Sequence, residues 1–209
     1  MHFHVIGDRA VAQMIDAVEK VIEANGEKDR RPVAAHVQLM NKNDISRMKK
    51  AGISVSANPY WFFKDEVYSV LNEFPMLGSR ADEQFPMKSL IDAGICVSAG
   101  SDYSVTADPN PLLAMWVGME RSMEEVPQEH PASILNPKEK VSFDEMLRCV
   151  TVNGAYTMNI EEYTGTLDVG KFADIAVLDK DIFDSSIKRC TDAKVIMTIS
   201  EGDIVYQAE

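Results

Sequence analysis

Four short apolar runs, each closed by turn-forming or polar residues and separated by stretches of helical spacing, limit this chain more than any other feature. They cover residues 2–6, ended by Gly7-Asp8; Pro32 to Val37; Ile53 to Ala57, stopped by Asn58-Pro59; and Ile95 to Ala99, ending in Gly100-Ser101-Asp102. Between the first two, Val11, Met14, Ile15, Val18, Val21 and Ile22 recur at spacings of three and four, which predicts an amphipathic helix closing near Asn25-Gly26. Asn43 is expected to cap a short helix reaching Lys50, and Pro86 to Ala93 reads as helical. A longer excursion with the aromatic string Tyr60-Trp61-Phe62-Phe63 follows the third run. Strand-like runs alternating with helices imply parallel strands joined by crossovers, hence an α/β fold. Such folds place their chemistry at the C-terminal ends of the strands.

Helical patterns follow near Pro111–Glu125 and Ser142–Met158, and then the period changes. Residues 175–178, 195–199 and 204–206 are strand-like, and Ser200-Glu201-Gly202-Asp203 is a hairpin turn, so the tail from about Gly165 is a small β segment. No internal repeat or low-complexity segment occurs. With 209 residues, 45% apolar and 26% charged, the chain suits one domain or slightly more, with a sizeable core. No run of eighteen apolar residues is present, so a membrane span is not expected. The N-terminus lacks the basic head and apolar stretch of a secretory signal. Cys96, Cys149 and Cys190 are odd in number and far apart, which argues against a disulfide framework or zinc knuckle and for a reducing cytoplasm. Twenty-one basic against 33 acidic residues give a net charge of −12, which disfavours nucleic acid and anionic lipid. The basic runs Arg30-Arg31 and Lys49-Lys50 are only dipeptides.

His2 and His4 stand two apart, so on a strand they share a face. His36 follows 32 residues after His4, about one β-α unit, and Asp102 lies just past the fourth run. If the strands are neighbours in a barrel, His4, His36 and Asp102 converge at one mouth. Two imidazoles and a carboxylate suit zinc or a similar divalent ion. Each residue also has a plainer reading: a strand histidine can be a satisfied core residue, and Asp102 a turn or cap. Spacing alone leaves both open. His130, between Glu129 and Pro131, is assigned no role, and Asp8 reads as a helix cap. Tyr60 and Trp61 stand where a pocket wall would be and are candidate substrate contacts, against a plainer reading as core.

The stretches His4-Val5-Ile6-Gly7-Asp8-Arg9-Ala10-Val11, Ala35-His36-Val37-Gln38 and Ala99-Gly100-Ser101-Asp102 resemble the fifth-, sixth- and eighth-strand motifs of the amidohydrolase superfamily. The branch they most resemble, amidohydrolase 3, contains the N-substituted formamide deformylases and the YtcJ-like proteins. Thr151 to Ala155 and Gly165 to Ile175 resemble that family's helix after the barrel and its return into a small β-sandwich. The resemblance implies strands five to eight of a metal-dependent hydrolase TIM barrel over residues 1–160, and C-terminal strands of a composite β-sandwich over 161–209. By the same resemblance His4 and His36 hold a divalent metal such as zinc, one or two ions in a complete site. Asp102 touches that metal and serves as general base. The metal activates a water that attacks a carbonyl carbon, and the aspartate passes the proton to the leaving amine.

The first-strand His-x-His pair and the bridging carboxylated lysine or glutamate have no counterpart in this sequence. His2-Phe3-His4 has the spacing of that pair, but the Ile6 to Ala10 continuation and His36 so soon after favour strand five. The chain is therefore expected to be the C-terminal half of a longer enzyme, weakly active or inactive alone. An N-terminal half or a second copy would cover its open sheet edges. The expected function is metal-dependent hydrolysis of C–N bonds in small amides or formamides. The alternative is a non-catalytic half-barrel assembly module whose metal residues are relics. A plain α/β ligand-binding domain ranks last.

Overall fold

The four apolar runs pair as parallel strands in the order in which they occur. In the computed structural model, which describes residues 1–124, 133–184 and 189–209, β1 (His2–Val5), β2 (Val33–His36), β3 (Ser54–Ala57) and β4 (Val97–Ala99) form one sheet, order β1-β2-β3-β4. His130 lies outside the described residues. The crossovers carry α1 (Asp8–Asn25), α2 (Asp44–Lys50), and then α3 (Phe74–Leu77) and α4 (Met87–Asp92). Alternate register rows face opposite sides of the sheet. Phe3, Ala34, Val55 and Val97 form one row, and the last three are fully buried. Helix α1 packs its Val11, Met14, Ile15 and Val18 stripe into the same core. The neighbouring row, His4, Ala35, Ser56 and Ser98, is small or polar.

Some helix ends match expectation and others depart from it. Asp8 begins α1 as expected, with Gly7 at the cap position, and its carboxylate accepts from the free Arg9 amide (2.9 Å) and from Arg80 (2.7 Å). Asn43 precedes α2 in a helical conformation with no side-chain cap bond, and Asn41 accepts from the Asn43 amide instead, at 3.0 Å. α5 (Pro111–Glu120) is capped by Asn110, whose Oδ1 accepts from the Leu112 amide; Glu125, the expected end, lies outside the described residues. The Ser142–Met158 pattern divides into α6 (Phe143–Val150), opened by a reciprocal Ser142/Glu145 capping box, and α7 (Val152–Met158). The break is Thr151, at φ −126° and ψ −98°. The excursion after β3 holds a π-helical stretch, Glu66–Glu73, for which neither the 3.6 nor the 2.0 period is a guide.

α7 is tied to the strand starts. Asn153 donates to the Val97 carbonyl (2.8 Å), and Arg31, just before β2, donates to the Tyr156 carbonyl and lies over the Tyr156 ring. That leaves the C-terminal strand ends as the open end of the sheet. The tail forms a separate antiparallel sheet of β5 (Ile175–Leu178), β6 (Val195–Ser200) and β7 (Asp203–Gln207). Glu201 and Gly202, both at positive φ, make the tight hairpin turn. Ile204, Val205 and Tyr206 of β7 are exposed. Among the described residues no helix is long and apolar enough to cross a membrane.

The core is pinned by one buried cation. Arg121, in the left-handed region just past α5, is fully buried. Its Nε donates to the Leu135 carbonyl (2.9 Å), Nη1 to Phe85 (3.2 Å) and Nη2 to Gln84 (2.9 Å), and the guanidinium lies over the Phe62 ring. Burial pushes its pKa down, and nearby Glu139 opposes that shift. Replacing Arg121 with methionine keeps much of the volume but strands these carbonyls in the core. The expected cost is about 3 kcal/mol, read as a lower midpoint in urea unfolding with an unchanged slope. A loss below about 1 kcal/mol would show that water or a neighbour can replace the guanidinium.

Candidate functional site

His4 and His36 begin on opposite faces of the sheet. His4 is in register with Ala35, so in a regular strand His36 would project to the helix side with Val5, its own register partner. The backbone changes that. His36 has φ +73°, and the Val37 amide donates both to Ala35 O (3.0 Å) and to Val5 O (3.1 Å). An i to i+2 hydrogen bond around a residue at that φ is a γ-turn of the strained kind. Val37 also has a positive φ, +49°, rare for a β-branched residue. The turn ends the strand and brings the His36 ring edge-on to the His4 ring, with centroids 4.5 Å apart.

The segment after β3 clamps the His36 ring. Asn58 Oδ1 lies 2.7 Å from His36 Nδ1, and Asn58 Nδ2 donates to the Gly100 carbonyl beyond β4 at 3.0 Å. Trp61 stacks on the imidazole at 5.2 Å with an interplanar angle of 11°, and its indole N–H donates to Thr106 Oγ1. Tyr60, expected with Trp61 on a pocket wall, is buried, and its hydroxyl donates to the Pro109 carbonyl at 2.8 Å. The 101–110 loop is thus fastened to the β3 end at two points. Asp102 sits at the start of that loop, exposed, at φ +56°. Asn58 was not singled out from sequence; read there as a strand stop before Pro59, its amide chemistry carried no signal of its own.

Burial is the main influence on His36 and holds its pKa below the usual imidazole range. The Asn58 hydrogen bond opposes this, the His4 charge adds to it, and the Asp102 carboxylate opposes it. A neutral imidazole with one nitrogen engaged suits a nitrogen-preferring divalent ion, so the His4/His36 pair fits such a metal. Asp102 is near enough to influence His36 electrostatically. Among the described residues, though, no three His, Cys, Asp or Glu side chains gather as a group that could hold an ion. A wide apolar cleft lies elsewhere, between the sheet, α5, α7 and β5, lined in part by Ser98, Leu112, Met115, Ala155 and Val177. None of His4, His36, Tyr60, Trp61 or Asp102 lines it.

Residues 1–206 match the sequence profile of the Amidohydrolase family. Protein LONG AFTER FAR-RED 3 of Arabidopsis thaliana is 30% identical over 205 residues, covering 97% of this chain and 33% of that protein. The N-substituted formamide deformylase of Arthrobacter pascens is 29% identical over 211 residues, covering 98% of this chain and 36% of the enzyme. The chain thus spans about a third of the length of these curated relatives. Among solved structures, the atrazine chlorohydrolase TrzN of Arthrobacter aurescens TC1, crystallised with zinc, superposes with a TM-score of 0.61 at 20% identity over 99% of this chain and 44% of that one. That likeness shows a shared fold.

The clamp has a titration signature. Burial, with the Asp108 charge adding to it, pushes the Tyr60 phenol up to about 12. Its folded pKa is raised, so the stability it contributes is complete below the unfolded value near 10 and is lost as pH climbs through the folded one. Phenolate absorbance of the folded chain should therefore show a late-titrating component that disappears in Tyr60→Phe. An unchanged titration curve in that variant would mean that Tyr60 is not the buried phenol.

Proposed function

The chain belongs to the amidohydrolase family, and on that premise we propose that it carries part of the active site of a metal-dependent hydrolase that cleaves C–N bonds in small amides or formamides. One observation carries the proposal: the γ-turn at His36 sets two imidazoles against each other at the C-terminal end of a parallel sheet. Strand geometry alone would have kept them on opposite faces. In this reading His4 and His36 hold the ion and Asp102 faces it from the neighbouring loop. A bound divalent ion, zinc or one like it, supplies Lewis acidity that favours ionisation of water and polarises the scissile carbonyl.

The chain's own residues do the rest. Asp102 takes a proton from the attacking water and delivers it to the amine nitrogen as the C–N bond breaks, so the products are a carboxylic acid and an amine. Trp61, packed on His36 and fastened to Thr106, forms the adjoining wall and shields that ring from bulk water. Tyr60 supports the wall from beneath through Pro109.

In the same proposal, residues 1–160 are strands five to eight of a barrel and residues 161–209 are the C-terminal strands of a small β-sandwich. Strands β1 and β4 are the edges of the parallel sheet, and the row from His4 to Ser98 is the inward face of that barrel. The rest of the barrel, from another segment or a second copy, would pair with those edges. A second reading, an assembly module without catalysis, draws on the ungathered third ligand and on the exposed Leu167, Val169, Ile204 and Val205.

Metal content of the purified chain after gel filtration tests the ligand pair. About one zinc-like ion per chain, lost in His4→Ala and in His36→Ala, is the expected result; metal content unchanged in both variants would break the assignment. In the enzyme that hydrolyses an amide or formamide panel, Asp102→Asn should lower turnover by about 10²- to 10⁴-fold with the fold intact. Near-normal turnover would remove Asp102 as the base. Stable association with neither metal nor activity would favour the assembly reading.

A further inference from the structure

We propose that Asn58 is a positioning residue that fixes the tautomer of His36, keeping the proton on Nδ1 and leaving Nε2 as the free donor. Asn58 is buried, 4% exposed, so its amide must be satisfied by protein groups. One of those groups is the Gly100 carbonyl, at 3.0 Å. A carbonyl only accepts, so the amide nitrogen must face Gly100 and the amide oxygen must face His36. An amide oxygen also only accepts, so the His36 Nδ1 that lies 2.7 Å from it must carry a hydrogen. A neutral imidazole has a single N–H, which leaves the lone pair on Nε2. The orientation of one buried amide, set by a backbone carbonyl on β4's far end, thus determines which nitrogen of a β2 histidine is available.

Two further features support a positioning role. Trp61 stacks on the same ring, which hinders rotation about the Cβ–Cγ bond. The γ-turn also places His36 in a backbone conformation that a non-glycine residue holds only when the surroundings compel it. Asn58 supplies one such tether while joining the ends of β2, β3 and β4. Gly100 is two residues from Asp102, so the same amide also ties the base-bearing loop to the ring. The consequence for metal binding rests on the hydrolase reading above; the tautomer does not.

The test is a ¹⁵N NMR spectrum of the imidazoles in the metal-free chain at alkaline pH, with the His36 signals identified by their loss in His36→Ala. The wild type should show a protonated Nδ1 and a lone-pair Nε2 at His36. Asn58→Leu should shift the ring toward the Nε2-protonated form. Asn58→Asp, which keeps an acceptor for Nδ1 while replacing the donor to Gly100 with an anionic oxygen, should in its folded form restore the wild-type pattern. A protonated Nε2 in the wild type, or a wild-type pattern in a folded Asn58→Leu, would overturn the proposal. So would an Asn58→Asp variant no better than Asn58→Leu, because a merely structural link through Gly100 predicts that result. Zinc titration then separates the two readings. A wild type that binds zinc with Asn58→Leu weakened about 10- to 100-fold supports both. A wild type with the stated tautomer and no zinc binding removes His4 and His36 as an ion site sufficient in this chain and leaves Asn58 in its role.

Discussion

Parallel pairing in sequence order is the constraint on which the remaining features depend. Because β1 to β4 are neighbours and all parallel, every crossover has to return along the sheet, and the helices it carries cover the row of Phe3, Ala34, Val55 and Val97. That row becomes the core. The alternate row, from His4 through Ala35 and Ser56 to Ser98, is then free to be small and polar, and all four strand ends open on one side. A histidine on the free row of β1 costs the core nothing. A histidine at the end of β2 has the wrong parity and can join it only if the strand is broken there.

The break at His36 is where backbone and chemistry meet. Two successive non-glycine residues at positive φ, His36 and Val37, cost on the order of 1–3 kcal/mol each. The cost is offset by hydrogen bonds at and just after the turn: Val37 N to Val5 O, which continues the parallel ladder, Leu39 N to Ile6 O, and the ring Nδ1 to Asn58 Oδ1. Gln38, next in the chain, donates to Glu73 and Gln84, and the Gln84 carbonyl accepts from Arg121 and Asn136. The strained turn therefore leads straight into the polar network that Arg121 anchors in the core. Strain at the site and burial of a cation are parts of one connected structure.

What could be read from the sequence follows from this. The four strands, α1 and α4 were legible because apolar period reports which side of an element is buried, and these elements have a buried side; the β5–β7 segment was legible from its β-branched runs and the Ser200 to Asp203 turn, although β7 is exposed along its whole length. The meeting of His4 and His36 was expected from strand order, but the γ-turn that accomplishes it was not, because nothing in Ala35-His36-Val37 distinguishes a strained turn from one more strand residue. Asn58 was read as a strand stop, since its hydrogen bonds are to residues distant in sequence. The division of one helical pattern into α6 and α7 was hidden for a similar reason: Thr151 departs from helical geometry without any glycine or proline to mark it. Asn41 rather than Asn43 serves the start of α2 because turn geometry, rather than residue type, decides which side chain reaches the free amide.

The helix-side core and the polar row also differ in what holds them. Val11, Ile15, Val55 and Val97 are fully buried whatever stands on the other face, so the strand ends are fixed by packing the site does not share. The His4/His36 pair is then set by the backbone turn and by Asn58, before any ion is present. In the proposed reading, a site ordered in this way would need little rearrangement to take a metal, and its ligand nitrogen would be chosen by hydrogen bonding and not by the ion. The apolar side chains of the C-terminal segment, Leu167, Val169, Ile204 and Val205, have no such internal support and remain exposed. On the polar row, Ser98 is already buried and bonded to Thr157 of α7 while His4 at the other edge is exposed, so a segment pairing along β1 would meet a pair of imidazoles already in place.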